Sequence, residues 1–237
     1  MNYFRKINGR TRAWLVHLYT GLGLMCGFMA LYAMVANDPK LVFFWLGVAL
    51  VIDATDGTFA RKFNIKQWTP DFDGRKLDDI TDYINYAFLP VFFMWRFDLI
   101  SGLWILVIPV VLLSSVYGFC QSDAKTNDGY FTGFPNFWNL VALYLFTFQW
   151  PVVINGIILV VLSILIFVPF KFVSFSTPGK VRLAKSLSVV YFVLLILMVI
   201  NASQMIAVIS LLFPILYFGY ALYLKLNESK LVALIDS

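Results

Sequence analysis

Long apolar runs separated by short polar breaks dominate the hydrophobic pattern of this chain. Most of the runs approach or exceed the roughly 20 residues that a helix needs to cross the hydrocarbon core of a bilayer. The pattern predicts eight spans, at residues 13–36, 41–62, 76–95, 99–120, 137–150, 152–170, 184–201 and 204–224. Residues 1–12, which are basic with interspersed aromatic side chains, are predicted to form a short interfacial helix before the first span.

The predicted fold is therefore an all-α polytopic membrane protein with about eight transmembrane helices, in a single catalytic domain over residues 1–237. Composition supports this class, because 61% of the residues are hydrophobic and only 13% are charged. Such a balance excludes an ordinary soluble domain. One alternative stays open at this stage: residues 137–170 form either two spans or a single broken helix, which would leave seven.

Basic residues are distributed unevenly among the predicted loops. With eight spans, Lys40 and Arg96 fall on one side of the membrane and the other lysines and arginines on the opposite side. The positive-inside rule then predicts that both ends of the sequence and segment 53–82 lie at the cytoplasmic face. The net charge of +5 is accordingly explained by topology and by contacts with anionic lipid head groups, not by nucleic-acid binding.

Segment 53–82 concentrates acidic residues in an otherwise apolar chain. Its acids are Asp53, Asp56, Asp71, Asp73, Asp78, Asp79 and Asp82. Carboxylates are costly at membrane depth and are rarely found there without a function. Asp53 and Asp56 share one helical face, and Asp78 and Asp82 share a face of the next helix. We expect these four to converge when the two helices pack antiparallel, whereas the other three acids are expected to face solvent.

Four converging carboxylates would repel one another in a medium of low dielectric constant. Hard divalent cations relieve that repulsion, because oxygen ligands suit Mg²⁺ and Mn²⁺. The segment therefore predicts a metal site. A cation transporter, whose intramembrane carboxylates line a transport path, is the alternative from a different functional class.

Small and basic residues beside the carboxylates predict a phosphate-bearing ligand. Gly57 and Gly74 are expected to leave space on facing helices, where a flat ligand can approach the backbone. Arg61, on the same face as Gly57, supplies a planar guanidinium group that suits phosphate. The only histidine, His17, is expected to be a packed and hydrogen-bonded residue. Gly21, Gly23 and Gly27 are expected to allow close helix packing.

The order Asp-x2-Asp-Gly-x2-Ala-Arg-x12-Gly-x3-Asp-x3-Asp, from Asp53 to Asp82, resembles the signature of the CDP-alcohol phosphotransferases. The resemblance implies a membrane-embedded helical bundle that joins a CDP-activated group to an alcohol and releases CMP. It implies that two divalent cations, Mn²⁺ or Mg²⁺, are held by Asp53, Asp56, Asp78 and Asp82. Asp82 would also be the general base. The residues implied to bind nucleotide and phosphate are Gly57, Ala60, Arg61 and Gly74.

The 12-residue gap between Arg61 and Gly74 is longer than in most of that family and resembles its bacterial phosphatidylcholine synthase branch. Residues 77–90 and 117–139 and the eight predicted spans resemble the same branch. This likeness implies CDP-diacylglycerol and choline as substrates, a homodimer, and a place in the bacterial inner membrane. Sister enzymes that use serine, inositol or glycerol phosphate as the acceptor are the nearest alternative.

Choline carries a quaternary ammonium group, which binds favourably to aromatic faces. The candidates to contact it are Tyr83, Tyr86, Tyr117 and Trp138, together with the loop acid Asp123. Aromatic residues make up 18% of the chain, so ordinary packing is the competing explanation for each of them.

Overall fold

The computed structural model describes residues 2–121, 130–169, 171–173, 182–220 and 222–223. The chain forms two compact units, Met1–Phe93 and Met94–Ser237. The predicted acidic segment lies wholly within the first unit. That all of residues 1–237 act as one catalytic domain stays a prediction.

Helices make up the first unit in its described part. They are α1 (Asn2–Val35), α2 (Pro39–Phe63), α3 (Ile65–Trp68), α4 (Gly74–Asp82), a π-helical segment (Tyr83–Phe88) and the start of α5 (Leu89–Arg96). Helix α1 is continuous from Asn2 to Val35. Residues 2–12 thus extend the helix of the first predicted span and are not separated from it by a turn.

Local sequence explains where α2 begins and ends. Asp38 precedes it and accepts a 3.0 Å hydrogen bond from the amide of Leu41, while Pro39 occupies the first helical position. Both choices suit a helix N-terminus, where backbone amides lack helical partners. Asn64 ends the helix in the left-handed conformation, with φ 48° and ψ 50°, which asparagine tolerates better than most residues.

Two glycines of α1 bring the helix close to α4 and to the π-helical segment. A Cβ at Gly23 would lie 2.6 Å from Cγ2 of Thr81, and one at Gly27 would lie 2.8 Å from Oδ1 of Asn85. Asn85 also donates a 3.0 Å hydrogen bond to the carbonyl of Gly23. The predicted role of Gly23 and Gly27 in close helix packing is therefore confirmed. The same prediction is wrong for Gly21, where a Cβ would meet no atom of the described residues within 4 Å.

The second unit is also mainly helical in its described part. After the end of α5 come a 3₁₀ segment (Gly102–Leu106) and α6 (Val107–Cys120), α7 (Trp138–Phe148), α8 (Val152–Phe167), α9 (Arg182–Asn201) and α10 (Gln204–Ser210). Residues 212–220 are again helical. Two short strands, β1 (Tyr130–Thr132) and β2 (Lys171–Val173), pair antiparallel, and the sequence pattern did not predict them.

The helical membrane fold is confirmed. In the described part of the chain, three stretches are long and apolar enough to cross a membrane: Asn8–Val35, Pro39–Phe63 and Gly102–Cys120. Shorter apolar helices are Trp138–Phe148, Val152–Phe167, Val189–Asn201 and Gln204–Tyr220. Large apolar side chains on the outer face of α1, such as Leu18 and Phe28, are exposed, as expected of a surface that faces lipid.

Residues 137–170 form two helices, α7 and α8, and whether these cross the membrane as two spans or as one broken helix stays a prediction. Helix α7 ends at Phe148, and Gln149 follows in the left-handed conformation with φ 52°. Pro151 precedes the first residue of α8, and proline cannot continue the hydrogen-bond ladder of a preceding helix. The chain therefore breaks and restarts at this point.

Candidate active site

Three of the four predicted metal ligands converge in the first unit. Asp53, at the middle of α2, and Asp78 and Asp82, on α4, each contribute one carboxylate oxygen to a group whose atoms all lie within 4.8 Å of one another. All three side chains are partly buried. Because α2 and α4 carry these residues on facing sides, the spacing read from the sequence produces the expected cluster.

Asp56, the fourth predicted ligand, lies beside the other three. It is buried, with 5% of its surface exposed, and its Oδ2 accepts a 2.8 Å hydrogen bond from the hydroxyl of Thr20. Asp56 lines the same small cavity as Asp53, Asp78 and Asp82. The volume of this cavity is about 10 Å³, which is roughly the space of one water-sized species.

Hydroxyl groups from outside the motif hold two of these carboxylates. Thr20 of α1 donates to Asp56, and Tyr86 of the π-helical segment donates a 2.6 Å hydrogen bond to Oδ2 of Asp53. Such bonds fix the orientation of a carboxylate and leave its other lone pairs for a ligand. Prediction from the sequence named Tyr86 only as a possible choline contact and did not single out Thr20.

A much larger pocket of about 910 Å³ adjoins the small cavity. Asp56, Asp78 and Thr20 line both spaces, so the large pocket reaches the carboxylates. All four residues predicted to bind nucleotide and phosphate line it: Gly57, Ala60, Arg61 and Gly74. Its size falls within the range of about 300–1,000 Å³ that is typical of small-molecule sites.

Basic side chains line the same large pocket. They are Arg61 near the end of α2, Lys66 in α3, and Arg75 at the start of α4. The guanidinium group of Arg61 donates a 3.3 Å hydrogen bond to the hydroxyl of Thr58. The pocket therefore combines these three basic groups, which suit an anionic ligand, with the carboxylates of Asp56, Asp71, Asp73 and Asp78.

The three acids expected to face solvent lie outside the carboxylate cluster of the described residues. Asp79 is paired with Arg75 over 4.0 Å on an exposed face of α4. Asp73 accepts a 3.1 Å hydrogen bond from the amide of Lys76 and so caps α4. Asp71 and Asp73 are exposed and line the large pocket, but not the small cavity that the clustered carboxylates share.

Helix α1 supplies further residues to the site. Nε2 of His17 lies 2.9 Å from the hydroxyl oxygen of Thr69. The imidazole ring lies beside the ring of Phe72, with 4.5 Å between the ring centroids. The prediction that His17 is packed and hydrogen-bonded is confirmed. A sequence signal for α1 does exist, since Gly9, His17, Thr20, Gly23 and Gly27 recur at helical spacing along one stripe.

The candidates for choline contact lie in different parts of the chain. Tyr83 is partly buried at the start of the π-helical segment. Tyr117 lies in α6 with its ring 4.7 Å from that of Phe167. Trp138, with no exposed surface, donates a 2.8 Å hydrogen bond from Nε1 to Ser115. Asp123 lies outside the described residues. The role of each of these residues stays a prediction.

Comparison with known proteins agrees with this site. Residues 14–168 match the CDP-alcohol phosphatidyltransferase family. A phosphatidylcholine synthase of Borreliella burgdorferi is 40% identical over 171 residues, covering 72% of this chain and 73% of that protein. One of Pseudomonas aeruginosa is 38% identical over 174 residues, with coverages of 73% and 72%. One of Legionella bozemanae is 43% identical over 149 residues, with coverages of 62% and 69%.

The matched region contains α2, α4 and every motif residue from Asp53 to Asp82. The resemblance inferred from the motif is thus confirmed, and so is the prediction of a phosphatidyltransferase enzyme. The carboxylate cluster and the three basic side chains of the adjoining pocket all lie within the matched region. The chain belongs to the CDP-alcohol phosphatidyltransferase family of membrane proteins.

Proposed function

We propose that the protein is a phosphatidylcholine synthase, which transfers the phosphatidyl group of CDP-diacylglycerol to choline and releases CMP. The observation that carries this proposal is that Asp56 and Asp78 line both the small carboxylate cavity and the pocket of about 910 Å³. A nucleotide in the large pocket would therefore present its diphosphate to the carboxylates. The relatives named phosphatidylcholine synthase support choline as the acceptor.

The carboxylate cluster fits a divalent cation. Oxygens of Asp53, Asp78 and Asp82 lie within 4.8 Å of one another, and carboxylate oxygens are the ligands that Mg²⁺ and Mn²⁺ prefer. We assign these three residues and Asp56 as the ligands of two ions. Bound there, divalent cations would stabilise negative charge on the diphosphate and on departing CMP.

The side chains of the large pocket bind and orient the donor in this proposal. Arg61 contacts phosphate through its planar guanidinium group. Gly57 lets the ligand approach the backbone, because the nearest described atom to a Cβ at that position would be Nη1 of Arg61 at 3.5 Å. Ala60 and Gly74 complete the wall beside the cytidine.

Asp82 is the proposed general base. Its carboxylate takes the proton of the choline hydroxyl, whose oxygen attacks the phosphorus that carries the diacylglycerol. A new P–O bond to choline forms, the P–O bond to CMP breaks, and CMP leaves with its electron pair. Tyr83 and Tyr86, close to Asp82 in the sequence, are the first candidates to bind the quaternary ammonium group.

The proposed setting is a multi-pass position in a bacterial inner membrane, with the active site and both ends of the sequence in the cytoplasm. Support comes from the uneven distribution of basic residues, of which Lys40 and Arg96 alone fall on the outer side in the eight-span arrangement. A homodimer is proposed from the family resemblance. Cross-linking in membranes and protease protection of the loops would test these two assignments.

Turnover with purified protein tests the function. CDP-diacylglycerol and choline are supplied with Mn²⁺, with Mg²⁺ or with a chelator, and CMP and phosphatidylcholine are measured by mass spectrometry. We expect equal amounts of both products, and only with the metal. A parallel panel with serine, inositol and glycerol phosphate measures acceptor choice. Release of CMP with one of these acceptors and not with choline would contradict the choline assignment.

A further inference from the structure

The imidazole of His17 occupies the space in front of Gly74. A Cβ at Gly74 would lie 2.7 Å from Cε1 of His17 and 3.1 Å from its Nδ1. The first of these distances is shorter than any that real Cβ atoms adopt, so a side chain at this position must displace the ring. Gly74 belongs to the motif, whereas His17 lies on α1, well before it in the sequence.

The same imidazole anchors the connector, defined as residues 64–73 between α2 and α4. The hydroxyl oxygen of Thr69 lies 2.9 Å from Nε2 of His17 and 3.1 Å from the carbonyl oxygen of Ile65. Because a hydroxyl donates a single proton, both bonds form together when Thr69 donates to Ile65 and accepts from Nε2–H of His17. Both His17 and Thr69 are buried, with 4% and 6% of their surface exposed.

Aromatic contacts extend this anchor along α1. The ring centroid of Phe72 in the connector lies 4.5 Å from that of His17 and 5.0 Å from that of Trp14. At the N-terminal end of α1, a Cβ on Gly9 would lie 2.5 Å from Cδ2 of Trp68. The connector thus rests on α1 over about two turns of helix, with His17 at the point nearest the motif.

The anchored connector forms one wall of the large pocket. Residues from Asn64 to Asp73, except Gln67 and Trp68, line that pocket. The lining of the small carboxylate cavity comes from α1, α2, α4 and the π-helical segment, and includes none of the described connector residues. Loss of the contacts between His17 and the connector should therefore alter the nucleotide pocket and leave the arrangement of the clustered carboxylates unchanged.

We propose that His17 is a positioning residue for the nucleotide pocket. It fixes the connector wall through Thr69, and it fills the side-chain space of Gly74. The glycine at position 74 is accordingly required by the histidine, and Gly74 contributes to the pocket through its backbone. The kinetic part of this inference rests on the function proposed above.

A two-residue cycle tests the proposal. Gly74→Ala should raise the KM for CDP-diacylglycerol roughly tenfold, because the new methyl group displaces the imidazole. His17→Ala should raise the same KM by a similar factor. In the double variant, Gly74→Ala should add little to the effect of His17→Ala. An equal loss from Gly74→Ala in both backgrounds would show that the glycine meets the ligand itself, and would overturn the proposal.

Conservative variants separate positioning from general stability. His17→Gln keeps an N–H donor for Thr69 and should retain a KM close to that of the unmodified protein, whereas His17→Leu should not. Thr69→Val should raise the KM as His17→Leu does, with no further rise when the two are combined. The KM for choline and the kcat should stay unchanged throughout. A rise confined to choline, or independent effects of the two substitutions, would contradict the inference even if Gly74→Ala does not fold.

Thermal unfolding supplies a readout that does not depend on activity. As with the KM values, Gly74→Ala should lower the melting temperature of the unmodified protein but add little to the effect of His17→Ala. Leu18→Ala, on the exposed side of α1 with 61% of its surface accessible, is the matched control and should change neither quantity. Absence of turnover in the unmodified protein would contradict the proposed function, whereas additive melting temperatures would contradict the role of His17.

Discussion

The hydroxyl of Tyr86 donates a 2.6 Å hydrogen bond to Oδ2 of Asp53. The bond connects the π-helical segment to α2, and Tyr86 itself is buried with 5% of its surface exposed. Asp53 is one of the three clustered carboxylates. The hydroxyl of Tyr86 can therefore act on the site through a carboxylate, while the contact of its ring with choline, expected from its position in the sequence, stays a prediction.

Tyr86→Phe removes this donor and preserves the ring. We expect the Mn²⁺ concentration for half-maximal activity to rise about 10- to 100-fold, the usual effect of losing a group that orients a metal ligand. Titration of activity with Mn²⁺ at saturating choline measures it. Tyr83→Phe is the matched control. A rise in the KM for choline with unchanged Mn²⁺ dependence would instead identify Tyr86 as a choline contact.

Thr20→Val removes the hydroxyl that donates to Asp56 over 2.8 Å. The buried carboxylate then loses a hydrogen bond that neither a methyl group nor bulk water replaces, so activity should fall about tenfold. Thr20→Ser keeps the hydroxyl and should retain most of the activity. Steady-state rates of CMP release measure both variants. Equal rates for the serine and valine variants would exclude a role for the hydroxyl.

Asp82→Asn removes the proposed general base and one carboxylate of the cluster. Turnover should fall by a factor of about 10³ or more, since general-base catalysis alone contributes about 10²–10⁴. Asp79→Asn is the control, because Asp79 lies three residues away and is paired with Arg75 on an exposed face. Gel filtration in detergent checks that both variants remain folded. Substantial activity in Asp82→Asn would rule out Asp82 as the base.

Removal of divalent cations should destabilise the protein as well as inactivate it. Carboxylates within 4.8 Å of one another repel when ionised, and a bound cation relieves that repulsion. A ligand that binds only the folded state raises the melting temperature with its concentration. We expect a rise on adding Mn²⁺ to chelator-treated protein, and a smaller rise in Asp53→Asn. The same rise in both would place the binding site elsewhere.

Gly23→Val should destabilise the first unit. Its Cβ would lie 2.6 Å from Cγ2 of Thr81, and overpacking a tight contact costs about 1–3 kcal/mol. Gly21→Val, on the same helix, is a matched control because a Cβ there would meet no atom of the described residues within 4 Å. Melting temperatures in one detergent compare the two variants. Equal stability would mean that α1 and α4 adjust freely at Gly23.

Local spacing was enough to predict the carboxylate cluster and the succession of apolar helices. Asp53 and Asp56 on one helix, with Asp78 and Asp82 on the next, have a single arrangement in which all four face one cavity. The break between α7 and α8 lies at Gln149 and Pro151. The backbone effects of these residues are local, but the position of the break was visible only in the structure.

The contributions of α1 were not predictable in the same way. Thr20 meets Asp56 across 36 positions, and His17 meets Thr69 across 52. Such pairs depend on how the helices pack, and a threonine or histidine in an apolar helix carries no mark of its partner. Trp138 illustrates the same limit for an aromatic residue. Its residue type suits a cation site, but the sequence did not show that its side chain is buried and hydrogen-bonded to Ser115.

The π-helical segment Tyr83–Phe88 begins directly after Asp82. A wide turn of this kind corresponds to one additional residue within an otherwise α-helical stretch, and such turns occur often at functional sites. Because one α-helical residue rotates the chain by about 100°, the segment acts as a phase shift. It lets α4 present acids at the interval of a regular helix, while the residues from Leu89 onward follow a different rotational register. The spacing of the acids on α4 and the spacing of the packed residues on α5 can therefore differ within one continuous helical stretch. A change in one of these spacings need not alter the direction of the side chains in the other.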